Sequence, residues 1–123
     1  MPYIVGTQPV TKQTLLLSEG LVNSSISTTT STGISTLVSI AKSTYRSVSF
    51  QIQATEGSNY NITSVNLLHD DTSCFMSEFG TINEPIGIAT FGCELNGANI
   101  TLLGFPASSN STTFQVIYSA VKS

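Results

Sequence analysis

A chain of 123 residues fits a single domain. Only 9% of it is charged, against roughly 25% in an average soluble domain, and 19 Ser and 17 Thr take the polar positions instead. Four basic residues (Lys12, Lys42, Arg46, Lys122) and a net charge of −3 exclude the basic stripe a strong nucleic-acid footprint needs, and no apolar run is long enough for a membrane helix.

The first residues, Met1-Pro2-Tyr3-Ile4-Val5-Gly6, have neither the basic start nor the apolar stretch of a signal peptide. An apolar content of 40% supports a core and argues against disorder. β-Branched and hydroxylic residues without Lys/Glu heptads exclude a coiled coil.

Residues 1–11, with the apolar Tyr3-Ile4-Val5 between two prolines, read as a first strand or as an arm packing on a neighbouring subunit; residues 12–123 read as one domain. Gln13 to Ser18, Leu21 to Ser27 and Ile34 to Ala41 are weak strands, separated by Glu19-Gly20 and by Thr28 to Gly33. The Ser/Thr-rich stretch from Asn23 to Ser39 reads as a hydroxyl-rich strand and loop.

The clearest strand runs from Tyr45 to Thr55. Val48, Phe50, Ile52 and Ala54 share one face, with Ser47, Ser49, Gln51 and Gln53 on the other. Thr55 to Asn59 carries turn chemistry, so a hairpin leads into Tyr60 to His69. The apolar phase slips there, from Tyr60 and Ile62 to Val65 and Leu67, which a bulge near Ser64 or burial of both faces would explain. Ser73 to Phe79 and Ile86 to Leu95 form the next expected pair, joined through Gly80 to Pro85. Asn96-Gly97 signals a tight turn into Ala98 to Phe105. The last strand, Thr113 to Val121, places Phe114, Val116, Tyr118 and Ala120 on one side. Ile117 and Val121 on the other suggest cover on both faces. Eight or nine short strands with regular turns predict an all-β, jelly-roll-like antiparallel sandwich.

No catalytic constellation emerges, and the chain reads as non-enzymatic, with no cofactor or metal. His69-Asp70-Asp71 reads as a strand-end turn, since a zinc site needs three or four convergent ligands. If Phe75 and Phe79 face the core, Cys74 points outward while Cys93 points inward with Phe91 and Leu95; two free thiols are then expected. The seven carboxylates fall at turns and edges, as solvated charges do, and the chain has no Trp to stack sugar. Four glycosylation sequons, at Asn23, Asn61, Asn99 and Asn110, are a small excess in so hydroxyl-rich a chain.

An ordered set of segments carries a resemblance. These are Ser43-Thr44-Tyr45-Arg46-Ser47 running into Phe50 to Gly57 and Tyr60, then Leu67-Leu68-His69-Asp70 and Ser77 to Ile82. Ala89-Thr90-Phe91, Leu95 to Leu103 and Pro106-Ala107 follow. Together they resemble a small β-domain of tailed-phage virion proteins, especially of phages infecting cyanobacteria and other marine bacteria, over roughly residues 43 to 121.

The resemblance implies a virion structural protein, assembled in the host cytoplasm. Its first expected role is a capsid decoration (cement) protein that binds between capsomers; the alternative is a tail or tail-fibre component, with Tyr45 and Tyr60 exposed toward a host-surface glycan. A secreted lectin fits less well without a signal peptide. Expected partners are the major capsid protein or other virion proteins and further copies of the chain, as a trimer, with neither nucleic acid nor membrane. The expected assembly contacts are Tyr3, Ile4 and Val5 in the arm, and Ile26 and Ile34 along the Ser/Thr-rich edge.

Overall fold

The structure is a computed structural model and describes residues 14–123. The expected arm, with Tyr3, Ile4 and Val5, lies outside the described residues. Nine strands follow in chain order: β1 (Leu15–Leu17), β2 (Gly20–Thr29), β3 (Ser35–Ala41), β4 (Tyr45–Glu56), β5 (Asn59–His69), β6 (Cys74–Glu84), β7 (Ala89–Asn96), β8 (Asn99–Pro106) and β9 (Thr112–Lys122). They build two antiparallel sheets, of six strands in the order β1-β2-β9-β4-β5-β6 and of three in the order β3-β8-β7. The chain is therefore an antiparallel β-sandwich, as its alternating patterns predict. Among the described residues no helix is long and apolar enough to cross a membrane.

The core lies between the sheets. Phe50, Ile52, Val65, Leu67, Phe114 and Val116 project from the six-stranded sheet onto Val38, Ile40, Ile100 and Leu102 of the smaller one. Phe50 meets Tyr118 with ring centroids 5.5 Å apart. Phe91 meets Phe114 edge to face at 6.0 Å, which ties the two sheets together. β4 owes its place at the heart of the larger sheet to strict alternation, since every second residue from Val48 to Glu56 is buried.

Short connections fix the register. The β4–β5 hairpin closes with Glu56 opposite Asn59 over the two residues Gly57-Ser58, where Gly57 has φ 59°. The β7–β8 hairpin closes with Asn96 opposite Asn99 over Gly97-Ala98, with Gly97 at φ 62°. A glycine as the first of two turn residues matches the twist of the flanking strands. The Asn96-Gly97 signal thus marks the right hairpin one residue early, because Asn96 is still paired.

Three strand expectations are corrected. First, β5 alternates without interruption: Asn61, Thr63, Val65, Leu67 and His69 are buried, while Tyr60 and Ile62 are exposed on the outer face. The irregularity belongs to β6. Ile62 pairs with Ile82 and Ser64 with Phe79, so two steps on β5 oppose three on β6, and Gly80 takes φ 69° at the bulge. The Thr63 hydroxyl donates to the Phe79 carbonyl there and shares a hydrogen bond with Thr81 at 2.7 Å.

Second, β6 does not stop at Phe79 and does not pair with β7. It continues along β5 to Glu84, and Pro85 to Ile88 then carries the chain across to the other sheet. Third, β9 is covered on one face only. Ile117 is 62% exposed and Val121 55%, because among the described residues nothing lies over the outside of the large sheet.

Candidate functional site

The outer face of the six-stranded sheet is the most distinctive surface of the molecule. Strand register lines its residues up in rows. One row runs Ile26, Gln115, Gln53, Ile62, Ile82, and the next Ser24, Ile117, Gln51, Ser64, Phe79. A third holds Val22, Ser119, Ser49, Asn66 and Ser77, and a fourth ends in Val121, Ser47, Leu68 and Phe75. Among the described residues, the outward positions of this sheet carry one charge, Glu84, at its corner. Strands spaced ~4.8 Å apart make the face about 24 Å wide.

Cross-strand hydrogen bonds hold the polar side chains flat. Gln53 donates to Gln115 at 3.1 Å, Ser49 to Asn66 at 2.7 Å, and Thr28 bonds Thr113 at 2.9 Å. Apolar side chains gather toward the β5–β6 edge. Tyr60, Ile62, Leu68, Phe75, Phe79 and Ile82 are all exposed there. Between Leu68 and Phe75 a shallow depression of about 450 Å³ is floored by Ser47, Ser49, Asn66 and Ser77.

This arrangement reverses one sequence expectation. Phe75 and Phe79 point outward, and Cys74 and Met76 point inward, because β6 takes its phase from buried Leu67 and His69 on β5. Cys74 and Cys93 are both free and both pack against the core, from opposite sheets. Burial, followed by the adjoining Cys74 thiol, pushes the Cys93 thiol up to about 12.

His69, at the strand-end turn the sequence predicts, is buried. Its Nε2–H donates to the Tyr45 carbonyl at 2.7 Å and its Nδ1 accepts from the Asp71 amide at 3.1 Å, the pattern of a neutral ring. Arg46 donates to the His69 carbonyl at 3.2 Å and lies 3.4 Å from the Asp71 carboxylate. Asp71 itself takes φ 77°, a conformation an aspartate accepts more readily than most residues. Asp70 caps the turn as the sequence predicts. Its Oδ1 accepts from the amides of Ser73 and Thr72 and from the Thr72 hydroxyl, which lowers its pKa below the usual carboxylate value. The corner is a structural lock with its polar groups engaged.

The carboxylates do not converge on a cleft. Glu56 is buried, against expectation, and binds the Asn59 amide and the Ser108 hydroxyl where the β4–β5 hairpin meets the loop before β9. Glu78 accepts from Thr81 at the β6 bulge, beside a cleft of about 160 Å³ shared with Thr63, Asn83 and Phe91. Among the described residues no group of three His, Cys, Asp or Glu could hold a metal ion.

Of the expected contact residues, Ile26 stands exposed on the outer face of β2 and Ile34 in the loop entering β3, so they sit on different elements. Tyr60 is exposed as expected, whereas Tyr45 is half-buried against the core. The residues that sequence reasoning missed, Asn61, Glu56 and His69, share the parity of the apolar inward residues beside them; that parity was the available signal. Asn61 is the most consequential. Its side-chain amide donates to the Ile86 carbonyl and accepts from the Ile88 amide, each at 2.8 Å, pinning the crossover between the sheets.

No family model and no curated protein matches the chain in sequence. Solved structures match its fold. One is the tailspike protein gp49 of the Acinetobacter baumannii bacteriophage Fri1, a capsular polysaccharide depolymerase, at a TM-score of 0.57 and 12% identity over 94% of this chain. Another is the tailspike protein of the Acinetobacter phage vB_ApiP_P1, at a TM-score of 0.50 and 15% identity over 99% of this chain. The chain covers 20% and 25% of those proteins, respectively, so each fold match spans one segment of a longer protein.

Proposed function

We propose that this chain is a non-enzymatic structural module of a phage tail, of the spike or fibre type, built to pack among neighbouring subunits. The observation that carries this is the whole-chain fold match: nearly all of this chain follows a segment of each of two phage tailspikes. Both matches are tail proteins, so they favour a tail location over the capsid-decoration role, and the depolymerase activity of one belongs to a protein about five times this chain's length.

The outer face of the large sheet supports the packing role. Its near-complete lack of charge is what the centre of a protein–protein interface shows, and its hydrogen-bonded Gln, Ser and Thr ladders are already ordered before any partner arrives. The partners we propose are other virion proteins and further copies of this chain, in the trimer that the phage resemblance implies. A second reading rests on the depression between Leu68 and Phe75, where an apolar wall stands over Ser and Asn donors as a saccharide would require. The two readings exclude each other in place, since a packed face covers the depression.

Quantitative mass spectrometry of virions containing this chain tests the proposal. A few to tens of copies per particle, with antibody label on the tail, is the expected result. Hundreds of copies on the shell would restore the decoration role. Absence from purified particles would overturn the virion assignment altogether.

A further inference from the structure

β6 ends the six-stranded sheet and β7 ends the three-stranded sheet on the same side of the sandwich, and the two edge strands contact each other across the gap. Each carries one cysteine facing inward. Cys74 lies opposite buried His69, and Cys93 lies opposite buried Leu102. Both side chains pack against the core, and the two thiols adjoin.

A metal would need more ligands than this pair supplies. His69 is next to Cys74, but both of its ring nitrogens are engaged by backbone groups, which leaves two sulfur ligands where a structural zinc site uses four. Two adjoining thiols on separate strands have a different chemistry open to them. We propose that Cys74 and Cys93 form a reversible intramolecular disulfide that staples the two sheets along their open side when the folded protein meets a low-molecular-weight disulfide such as oxidised glutathione.

The step balances as thiol–disulfide exchange. The Cys74 thiolate attacks one sulfur of the glutathione disulfide; that S–S bond breaks, and one glutathione leaves. The Cys93 sulfur then attacks the Cys74 sulfur of the mixed disulfide and expels the second glutathione. Two cysteine thiols are oxidised, one disulfide is reduced to two thiols, and the two cysteine protons end on glutathione. Burial pushes the Cys93 thiol up, which suits it to the resolving step.

The staple joins elements with little else in common. Among the described residues β6 is hydrogen-bonded to β5 alone and is interrupted by the Gly80 bulge, and β7 is paired to β8 alone. The disulfide closes the loop 74–93, which contains the whole crossover between the sheets. The inference stands on the placement of the cysteines and holds whether or not the chain belongs to a phage tail.

The experiment uses the full native chain, reduced and then exposed to excess oxidised glutathione at mildly alkaline pH. Peptide mass spectrometry should find Cys74 linked to Cys93 and no thiol left to alkylate. The thermal midpoint should rise by roughly 10 °C, as expected for closing a loop of this length in a small domain, and dithiothreitol should return it. In Cys93→Ser the reaction should stop at a glutathione adduct on Cys74 with no rise. Wild-type protein that keeps two alkylatable thiols, carries two glutathione adducts or forms only intermolecular dimers would overturn the proposal. So would a link that forms only in urea. The wild-type measurement is decisive even if the serine variant fails to fold.

Discussion

Replacing Asn61 with alanine leaves the Ile88 amide without a partner at the point where the chain crosses from one sheet to the other. In the native protein, Ile88 is held on both sides: its N–H donates to Asn61 Oδ1 at 2.8 Å, and its carbonyl accepts from the Ala107 amide at 2.9 Å. Ile88 is 1% exposed, so water cannot replace the lost bond. The Ile86 carbonyl belongs to an exposed residue and can be rehydrated. A buried donor left unpaired costs about 1–3 kcal/mol, and the net worth of the second bond adds about 1 kcal/mol. The expected loss for Asn61→Ala is therefore about 2–4 kcal/mol, or roughly 10 °C in the thermal midpoint. Urea unfolding followed by far-ultraviolet circular dichroism, with the midpoint shift multiplied by the slope, gives the number. Hydrogen exchange gives its location: the Ile88 amide should lose more protection than the amides of Leu67 or Val116, which report only global opening. A loss under about 0.5 kcal/mol, or uniform exchange across the three amides, would refute the claim that Asn61 pins the crossover.

Three other outcomes follow from the same structure. A Cβ on Gly20 would stand 2.1 Å from the Ala120 carbonyl oxygen, which is backbone, whereas one on Gly92 would stand 3.0 Å from the movable Phe105 ring. Gly20→Ala should therefore destabilise the protein more than Gly92→Ala, by about 1–3 kcal/mol against less, read as a larger drop in melting temperature, and equal effects would contradict the argument. The folded pKa of Asp70 lies below the ordinary value of 3.8, so its cap stabilises the protein above that pH and the contribution disappears as pH falls through the folded value. The stability gap between wild type and Asp70→Ala should be present near neutrality and close at the acid end of a pH series; a constant gap would point to some other role. Finally, Leu68→Glu with Phe75→Glu places charge on an exposed face, so the melting temperature should hold while self-association, read by light scattering and little affected by salt in the wild type, is abolished. Undiminished association would move the packing surface elsewhere.

Much of the fold was legible along the chain. Strict alternation in β4 marked a strand buried on one face, and glycine-containing turns placed both two-residue hairpins to within a residue. Asp70 was legible as a turn cap, because a carboxylate followed by Thr72 and Ser73 finds its donors locally. These features depend on neighbours within a few residues, and local sequence records them.

The surface and the inner polar network were not legible, for a physical reason common to both. Tyr60, Ile62, Phe75, Phe79 and Ile82 are apolar yet exposed, so hydrophobicity alone assigned β6 the wrong phase and left β5 reading as bulged near Ser64 or buried on both faces, where the extra residue belongs to β6. Glu56, Asn61 and His69 are polar yet buried, held by partners 52, 25 to 27 and 24 residues away in Ser108, Ile86 with Ile88, and Tyr45. Burial of a polar group depends on finding such a partner, and sequence distance does not record which groups will meet.

The sequence by itself determined that this is a hydroxyl-rich, charge-poor antiparallel sandwich, because composition and period-two patterning are local properties. Only the tertiary structure decided where each sheet ends, that one broad face carries a single charge among the described residues, and that the two cysteines meet from opposite sheets. Those facts follow from how strands separated along the chain share two layers, and the chain crosses between the layers at Pro85 to Ile88 because one buried asparagine holds it there.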